Sequence, residues 1–190
     1  QSMVNNTEEA IVKEIRAWSK ESLEKINPNF GDLPPCPYAE NAWETDRVGI
    51  SFKQTSSWQD LTTIVSTWDD KYDLTVLVDL NYIKDRETFY QHIDGLNEAI
   101  AQGILIDKDI WLMSYHPDDE PNELVHTDET FEAAIDTDYA MVFIQRLSKL
   151  HEAAEKLKKT GYYKEYEQQF GLMDMLRVRE TYYRRLKNGT

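Results

Sequence analysis

Residues 74–80, Leu-Thr-Val-Leu-Val-Asp-Leu, decide the fold of this chain. The run is almost continuously apolar and rich in β-branched residues, which is typical of an interior strand covered on both faces. Asp79 interrupts the run, and a carboxylate inside a fold needs a partner. Two positions are open for Asp79: an ion pair inside the domain, or the tip of the strand beside Asn81, where it would face the same crevice as His116.

The patterns on both sides of this strand predict an α/β domain. Residues 48–52 alternate between apolar and polar side chains, and residues 109–115 form a further apolar run, so both are predicted strands. Residues 58–68 and 89–100 carry apolar side chains at helical spacing. The order strand, helix, strand, helix, strand implies right-handed crossovers and a sheet with a parallel core.

A fourth strand is predicted from residues 139–147, although the same residues would suit a helix that continues to Lys159. We choose the strand and expect Ser148 to cap the helix that follows it. The predicted fold is therefore α/β, a sheet of about four strands, largely parallel or mixed, flanked by helices. A ferredoxin-like arrangement is the topological alternative.

The sequence near both ends of the chain predicts further helices. A helix is expected over residues 7–26, and the four prolines and one glycine of residues 27–38 predict a stiff loop. We predict one domain over residues 1–160 and a helical C-terminal extension, packed on it, over residues 161–190. Residues 1–3, Gln-Ser-Met, have the appearance of a tag remnant followed by the natural start.

The composition excludes several classes of protein. Of the 190 residues, 41% are hydrophobic and 12% aromatic, which excludes disordered, collagen-like and disulfide-scaffold proteins. Because 35 acidic residues outnumber 21 basic ones, the net charge is −14, and neither nucleic acid nor a membrane is expected as a partner. The single cysteine and the lack of a membrane-length apolar run predict a cytoplasmic protein. Its partner is expected to be a small molecule or another protein, and its cofactor and oligomeric state stay open.

Charge is unevenly distributed along the chain. Residues 151–190 hold 9 basic and 6 acidic residues, a net charge of +3, whereas residues 117–138 hold nine acidic residues and no Lys or Arg. The acidic stretch also lacks the glycine that calcium loops require, so a solvated loop is favoured over a metal cage. The basic, aromatic tail either packs on the domain, with its arginines pairing with carboxylates, or binds a partner.

Cys36 is the first candidate for chemistry, because Pro35 and Pro37 hold its backbone rigidly. A rigid position suits a preorganised nucleophile or metal ligand. Attack chemistry would need a lowered thiol pKa, from a neighbouring imidazolium or a helix N-terminus. The simpler interpretation is a small buried hydrophobe in a loop that covers the sheet.

His116 is the second candidate, in the segment Ser114-Tyr-His-Pro-Asp118 that follows the third predicted strand. Side chains at the carboxyl end of a strand are held by the sheet and still reach solvent. His116 could act as a general base, orient Cys36, or bind a metal with Asp118, Asp119 or His126. The alternative is a histidine at the end of a strand that is hydrogen-bonded to a loop carbonyl.

The segments Leu33-Pro-Pro-Cys-Pro-Tyr-Ala39 and Ser114-Tyr-His-Pro117 also carry a resemblance. The chain resembles an uncharacterised bacterial family of unknown function whose members have Cys-Pro-Phe-Ala and Ser-Phe-His-Pro motifs. The resemblance covers roughly residues 8–157 and implies the same order of strands and helices, with Cys36 and His116 drawn together as a pair. Tyr replaces Phe in both motifs, and the acidic stretch and the basic tail depart from the family pattern.

Three functions are compatible with these residues. The leading hypothesis is a small cytosolic enzyme with its site at the carboxyl ends of the strands. Cys36 would be its nucleophile or thiolate ligand and His116 its base or orienter, with Asp79 and Asp118 tuning the pair. A non-enzymatic interaction or regulatory protein would use the acidic loop and the basic tail. A mononuclear metal enzyme would use His116 with nearby acids. The chain lacks a glycine-rich phosphate loop, a Gly-x-Ser-x-Gly motif and a His-Glu-x-x-His motif, which disfavours nucleotide hydrolysis, serine hydrolysis and ordinary zinc sites.

Overall fold

The structure is a computed structural model that describes residues 3–53, 58–66, 68–104, 107–120, 137–170 and 173–189. In these ranges the chain forms four strands and seven α-helices. The strands are β1 (Val48–Lys53), β2 (Leu74–Asp79), β3 (Trp111–Tyr115) and β4 (Ala140–Gln145). The helices are α1 (Met3–Trp18), α2 (Ala39–Glu44), α3 (Trp58–Ser66), α4 (Arg86–Ala101), α5 (Leu147–Lys158), α6 (Lys164–Phe170) and α7 (Met173–Asn188).

The strands form one mixed sheet in the order β1-β2-β4-β3. β1 pairs with β2 in parallel, and β4 pairs in antiparallel fashion with both β2 and β3. β1, β2 and β3 therefore run in one direction, so their carboxyl ends share one edge of the sheet. The predicted α/β fold with a mixed sheet is confirmed. The ferredoxin-like alternative is not adopted, because β1 and β2 are direct, parallel neighbours.

β2 is the interior strand that its sequence predicts. Val76, Leu77 and Val78 are each at most 1% exposed, and β2 has a hydrogen-bonded neighbour on both sides. Their side chains alternate between the two faces of the sheet, so burial of consecutive residues requires cover on both faces. Helices α3 and α4 supply part of that cover through Leu61, Val65, Phe89, Ile93, Leu96 and Ile100.

The chain divides into two compact units. The first comprises residues 1–45, 120–137 and 157–172, and the second comprises residues 46–119, 138–156 and 173–190. The second unit contains the whole sheet. These boundaries differ from the predicted division near residue 160, since α6 belongs to the first unit and α7 to the second.

In the first unit, the segment before α6 packs on the proline-rich loop. The ring of Phe30 lies 5.2 Å from that of Tyr162, and the Tyr162 hydroxyl donates to the carbonyl oxygen of Pro35. Gly31 has a φ of 66°, and a Cβ built there would lie 2.6 Å from the carbonyl carbon of Gly161. Only glycine fits both this left-handed backbone and this close approach.

In the second unit, α7 packs on α4 and β3. The ring of Tyr182 lies 5.1 Å from that of Trp111, and its hydroxyl donates to Glu98 at 2.8 Å. Arg185 donates to both carboxylate oxygens of Glu98, at 2.9 and 3.1 Å. The expectation that a tail arginine pairs with a carboxylate of the domain is confirmed for this pair.

Two local predictions need correction. The helix expected over residues 7–26 is α-helical only to Trp18 and continues as a π-helical turn over Ser19–Leu23, in which the Glu24 amide donates to the Ser19 carbonyl. The predicted Ser148 cap is wrong, because α5 begins at Leu147 and Ser148 lies inside it. The carboxylate of Asp109 accepts from both the amide and the hydroxyl of Ser148, and so satisfies a free donor at this helix end.

Within the described parts of the chain, every helix is too short or too polar to cross a lipid bilayer. Ser56 and Ser57 precede α3 in the sequence and are residue types that favour an N-terminal cap, but both lie outside the described residues.

Candidate functional site

A cavity of about 190 Å³ lies at the carboxyl ends of β1 and β2, within the second unit. Its apolar walls come from α3, α4, the sheet and the loop after β2, and its polar side chains come from the tips of β1 and β2, that loop and α4. The lining residues are Lys53, Leu61, Leu77, Asp79, Asn81, Tyr82, Ile83, Phe89, His92, Ile93 and Val142.

Asp79 finds its partner in Lys53. The two residues are register partners at the ends of the parallel strands β1 and β2, which brings their side chains together. The Lys53 ammonium donates to Oδ2 of Asp79 at 3.1 Å, and the side chains are only 15% and 8% exposed. Oδ1 of Asp79 accepts from the Asn81 amide at 3.0 Å. Asp79 therefore forms the ion pair considered for it and also lines a cavity at the tip of the strand. His116, predicted at the same crevice, is not among the described residues that line this cavity.

His92 brings an imidazole to the same cavity from α4. Burial lowers the pKa of His92, and the nearby positive charge of Lys53 lowers it further, while Asp79 acts in the opposite direction. An imidazole with a pKa below its usual value of about 6.5 is uncharged at neutral pH and can accept a proton. Sequence reasoning missed His92, although its position between the buried Phe89 and Ile93 places it beside the apolar stripe of α4.

His116 is fully buried just beyond the end of β3, and both ring nitrogens contact the backbone. Nε2 lies 2.9 Å from the carbonyl oxygen of Ile83, and Nδ1 accepts from the Asp118 amide at 3.1 Å. These partners assign a neutral ring with its proton on Nε2. The edge of the Tyr82 ring packs against the imidazole, at 5.2 Å between centroids. The contact of Nε2 with the Ile83 carbonyl matches the alternative considered for His116, a histidine hydrogen-bonded to a loop carbonyl.

Asp119, rather than Asp118, is the carboxylate bound into this turn. Asp118 contributes its backbone amide, and its side chain is 73% exposed, with Oδ2 4.0 Å from Nδ1 of His116. Asp119 accepts from the His116 amide at 3.0 Å, from the Tyr90 hydroxyl at 2.5 Å and from Arg86 at 2.7 Å. Burial raises the pKa of Asp119, but these hydrogen bonds outweigh it, so the pKa is lowered overall.

Cys36 lies in the first unit, immediately before α2. Its amide donates to the Leu23 carbonyl at 2.9 Å, which fixes the backbone. Burial raises the pKa of the thiol and Glu24 raises it further, and together they outweigh the amides of Tyr38 and Ala39. A raised pKa favours the protonated thiol, which is the opposite of what a nucleophilic cysteine needs. Because Cys36 and His116 belong to different units, their pairing stays a prediction.

The metal hypothesis is only partly covered by the described residues. These residues contain no cluster of three or more His, Cys, Asp or Glu side chains with the geometry to hold a metal ion. His126 and residues 121–136 of the acidic stretch lie outside them. Both ring nitrogens of His116 are engaged by backbone groups, so His116 would have to break one of these contacts to bind a metal.

Comparison of the chain with family models, with curated proteins and with solved structures gives no match. The resemblance to the family with Cys-Pro-Phe-Ala and Ser-Phe-His-Pro motifs therefore stays a prediction.

Proposed function

We propose that this protein binds a small organic molecule in the cavity at the carboxyl ends of β1 and β2, and that His92 exchanges a proton with it. One observation carries the proposal: the Lys53–Asp79 ion pair and the His92 imidazole line the same mostly apolar cavity. A concave apolar site with a few convergent polar groups is the usual form of a small-molecule site. A histidine whose pKa is shifted by burial and by a specific charge is a frequent mark of a functional site.

Each polar group has a distinct role in this proposal. Among the described residues Lys53 donates one hydrogen bond, to Asp79, and its ammonium has three donors, so two are left for a ligand. Asp79 is held by Lys53 and the Asn81 amide, so it fixes the position of the ammonium. His92, with its lowered pKa, serves as the proton acceptor. The Lys53 and Asp79 side chains are only 15% and 8% exposed, and this burial strengthens their electrostatic interactions.

The proposal keeps the predicted location, the carboxyl ends of the strands, and keeps Asp79 as a site residue. It replaces Cys36 and His116 by Lys53 and His92 as the groups that act on the ligand. The raised pKa of the Cys36 thiol and the two backbone contacts of His116 favour this choice.

The interaction hypothesis has less support from the described residues. Most of the acidic stretch lies outside them, and in the tail α7 directs Tyr182 and Arg185 to Glu98. These contacts explain part of the basic, aromatic tail as internal packing.

Histidine NMR tests the proposal. A library of one-ring compounds is titrated into the protein while the ring nitrogens of His92 and His151 are observed. Because His92 lines the cavity and His151 stacks on Tyr183 elsewhere in the second unit, we expect ligand-dependent shifts at His92 only.

A pair of variants at Ile93, which lines the cavity, provides the matched control. Ile93→Phe extends the side chain into the cavity and is expected to abolish the shifts, whereas Ile93→Leu conserves volume and is expected to retain them. If no compound moves the His92 resonances, or if Ile93→Phe binds as the wild type does, the cavity is not a ligand site.

A further inference from the structure

The volume of the cavity limits the size of its ligand. An apolar cavity of about 150 Å³ holds one benzene molecule. The present cavity, about 190 Å³, therefore accommodates one six-membered ring, or an aliphatic body of that size, together with one small polar group. A whole nucleotide or peptide exceeds this volume, so only one ring or side chain of such a molecule could enter the cavity.

The charges that line the cavity limit the charge of the ligand. Among the described residues that line the cavity, Lys53 and Asp79 are the two formally charged side chains, and their charges cancel. The lowered pKa of His92 keeps its imidazole uncharged at neutral pH. A charged ligand would therefore add an unpaired charge to a site in which the resident pair is already largely removed from water, whereas an uncharged ligand avoids that desolvation cost.

The hydrogen-bonding groups define the polar end of the ligand. The two remaining ammonium donors of Lys53 require an acceptor such as a carbonyl oxygen. Two of the lone pairs of Asp79 are engaged, by Lys53 and by the Asn81 amide.

We propose that the ligand is an uncharged molecule of about one ring in size that presents a single carbonyl or similar acceptor to Lys53. This inference rests on the proposed function, and it adds the charge and the size of the ligand to it. The aromatic rings of Tyr82 and Phe89 and the aliphatic side chains around them contact the body of the ligand.

Four probes of one ring each test the inference at pH 7.5, where benzamide is neutral, benzoate is an anion, benzylamine is a cation and toluene lacks a polar group. Dissociation constants are measured by the shifts of the His92 ring and the Ile93 methyl groups. We expect benzamide to bind at least tenfold more tightly than each of the other three probes.

The outcomes separate the inference from the proposal on which it rests. If benzoate or benzylamine binds within tenfold of benzamide or more tightly, the charge argument is overturned. If toluene binds within tenfold of benzamide or more tightly, the proposed recognition of a hydrogen-bond acceptor by Lys53 is overturned. If none of the four probes moves the cavity resonances but another compound of the library does, this inference is overturned and the proposed function stands. If no compound of the library moves them, the proposed function itself fails.

Two variants reverse the charge balance. Asp79→Asn leaves the Lys53 ammonium unpaired, so benzoate should become the preferred probe by at least tenfold. Lys53→Met leaves the Asp79 carboxylate unpaired, so benzylamine should become the preferred probe. A folded variant that keeps the wild-type ranking contradicts the inference. Because an unpaired buried charge also destabilises a fold, the ranking in the wild type decides the question for a variant that does not fold.

Discussion

Asn97 gives the sharpest stability prediction, because one side chain satisfies two backbone groups of an edge strand. From α4, its Nδ2 donates to the Leu112 carbonyl and its Oδ1 accepts from the Leu112 amide, both at 2.9 Å. β3 is the last strand of the sheet, and Leu112 is 2% exposed. The amide of Asn97 therefore occupies the place that a neighbouring strand would otherwise take.

Replacing Asn97 by Ala leaves a buried N–H and a buried C=O without partners. Each unsatisfied group costs about 1–3 kcal/mol, so we expect Asn97→Ala to lower the free energy of unfolding by about 2–6 kcal/mol. Small domains have only about 5–15 kcal/mol in total, so the change should be plain in urea denaturation followed by circular dichroism.

Two further variants isolate the cause. Asn97→Asp has the same shape and keeps the acceptor for the Leu112 amide, but it sets a second oxygen against the Leu112 carbonyl, so it should also be destabilised by about 2 kcal/mol or more. Gln91→Ala, at an exposed position of the same helix, should stay within about 0.5 kcal/mol of the wild type. The reasoning is refuted if Asn97→Ala costs less than about 1 kcal/mol, or if Asn97→Asp matches the wild type.

Three other predictions concern charge, backbone and the buried histidine. Hydrogen bonds, first from Arg185, lower the pKa of Glu98 to about 2. This carboxylate therefore stabilises the fold above its unfolded pKa, so Glu98→Gln should destabilise at pH 7, and its difference from the wild type should shrink between about pH 5 and pH 2 in urea titrations. Gly31→Ala should lower the melting temperature because of its positive φ, whereas Gly95→Ala, at an open helical position, should raise it; equal shifts would contradict the backbone argument. His116→Ala should cost about 3 kcal/mol or more in urea denaturation, since it removes a buried ring and two backbone hydrogen bonds, and a cost below about 1 kcal/mol would contradict that role.

The strands and the helices next to them follow from sequence because each has one dominant period. β1 alternates, β2 is continuously apolar, and α4 carries a helical stripe, so their bounds agree with the prediction to within a few residues. The position of β4 between β2 and β3 does not follow in this way. Strand order depends on which edges pair after collapse, and a pattern along the chain carries no information about that choice.

The candidate site was predictable in location but only partly in its residues. Asp79 could be predicted because a carboxylate in an apolar strand is an anomaly that demands a partner. Lys53 could not, because a lysine at the end of an alternating strand usually faces solvent, and the register that pairs it with Asp79 is a tertiary fact. Similarly, His92 could not be predicted, because it lies beside the apolar stripe of a helix and the cavity that it lines forms only in the folded protein.

In the second unit, the polar side chains of Asn97 and His116 differ from the Lys53–Asp79 pair in a way that bears on function. Backbone groups engage the side chains of Asn97 and His116, so fold stability alone accounts for these residues. The Lys53–Asp79 pair is different, because replacing a buried ion pair by apolar residues of similar volume is often neutral or stabilising. Stability therefore gives little reason to hold an ammonium and a carboxylate, with side chains only 15% and 8% exposed, at the tips of two strands. A ligand that needs the donors of Lys53, in a cavity that the pair shares with His92, does give one.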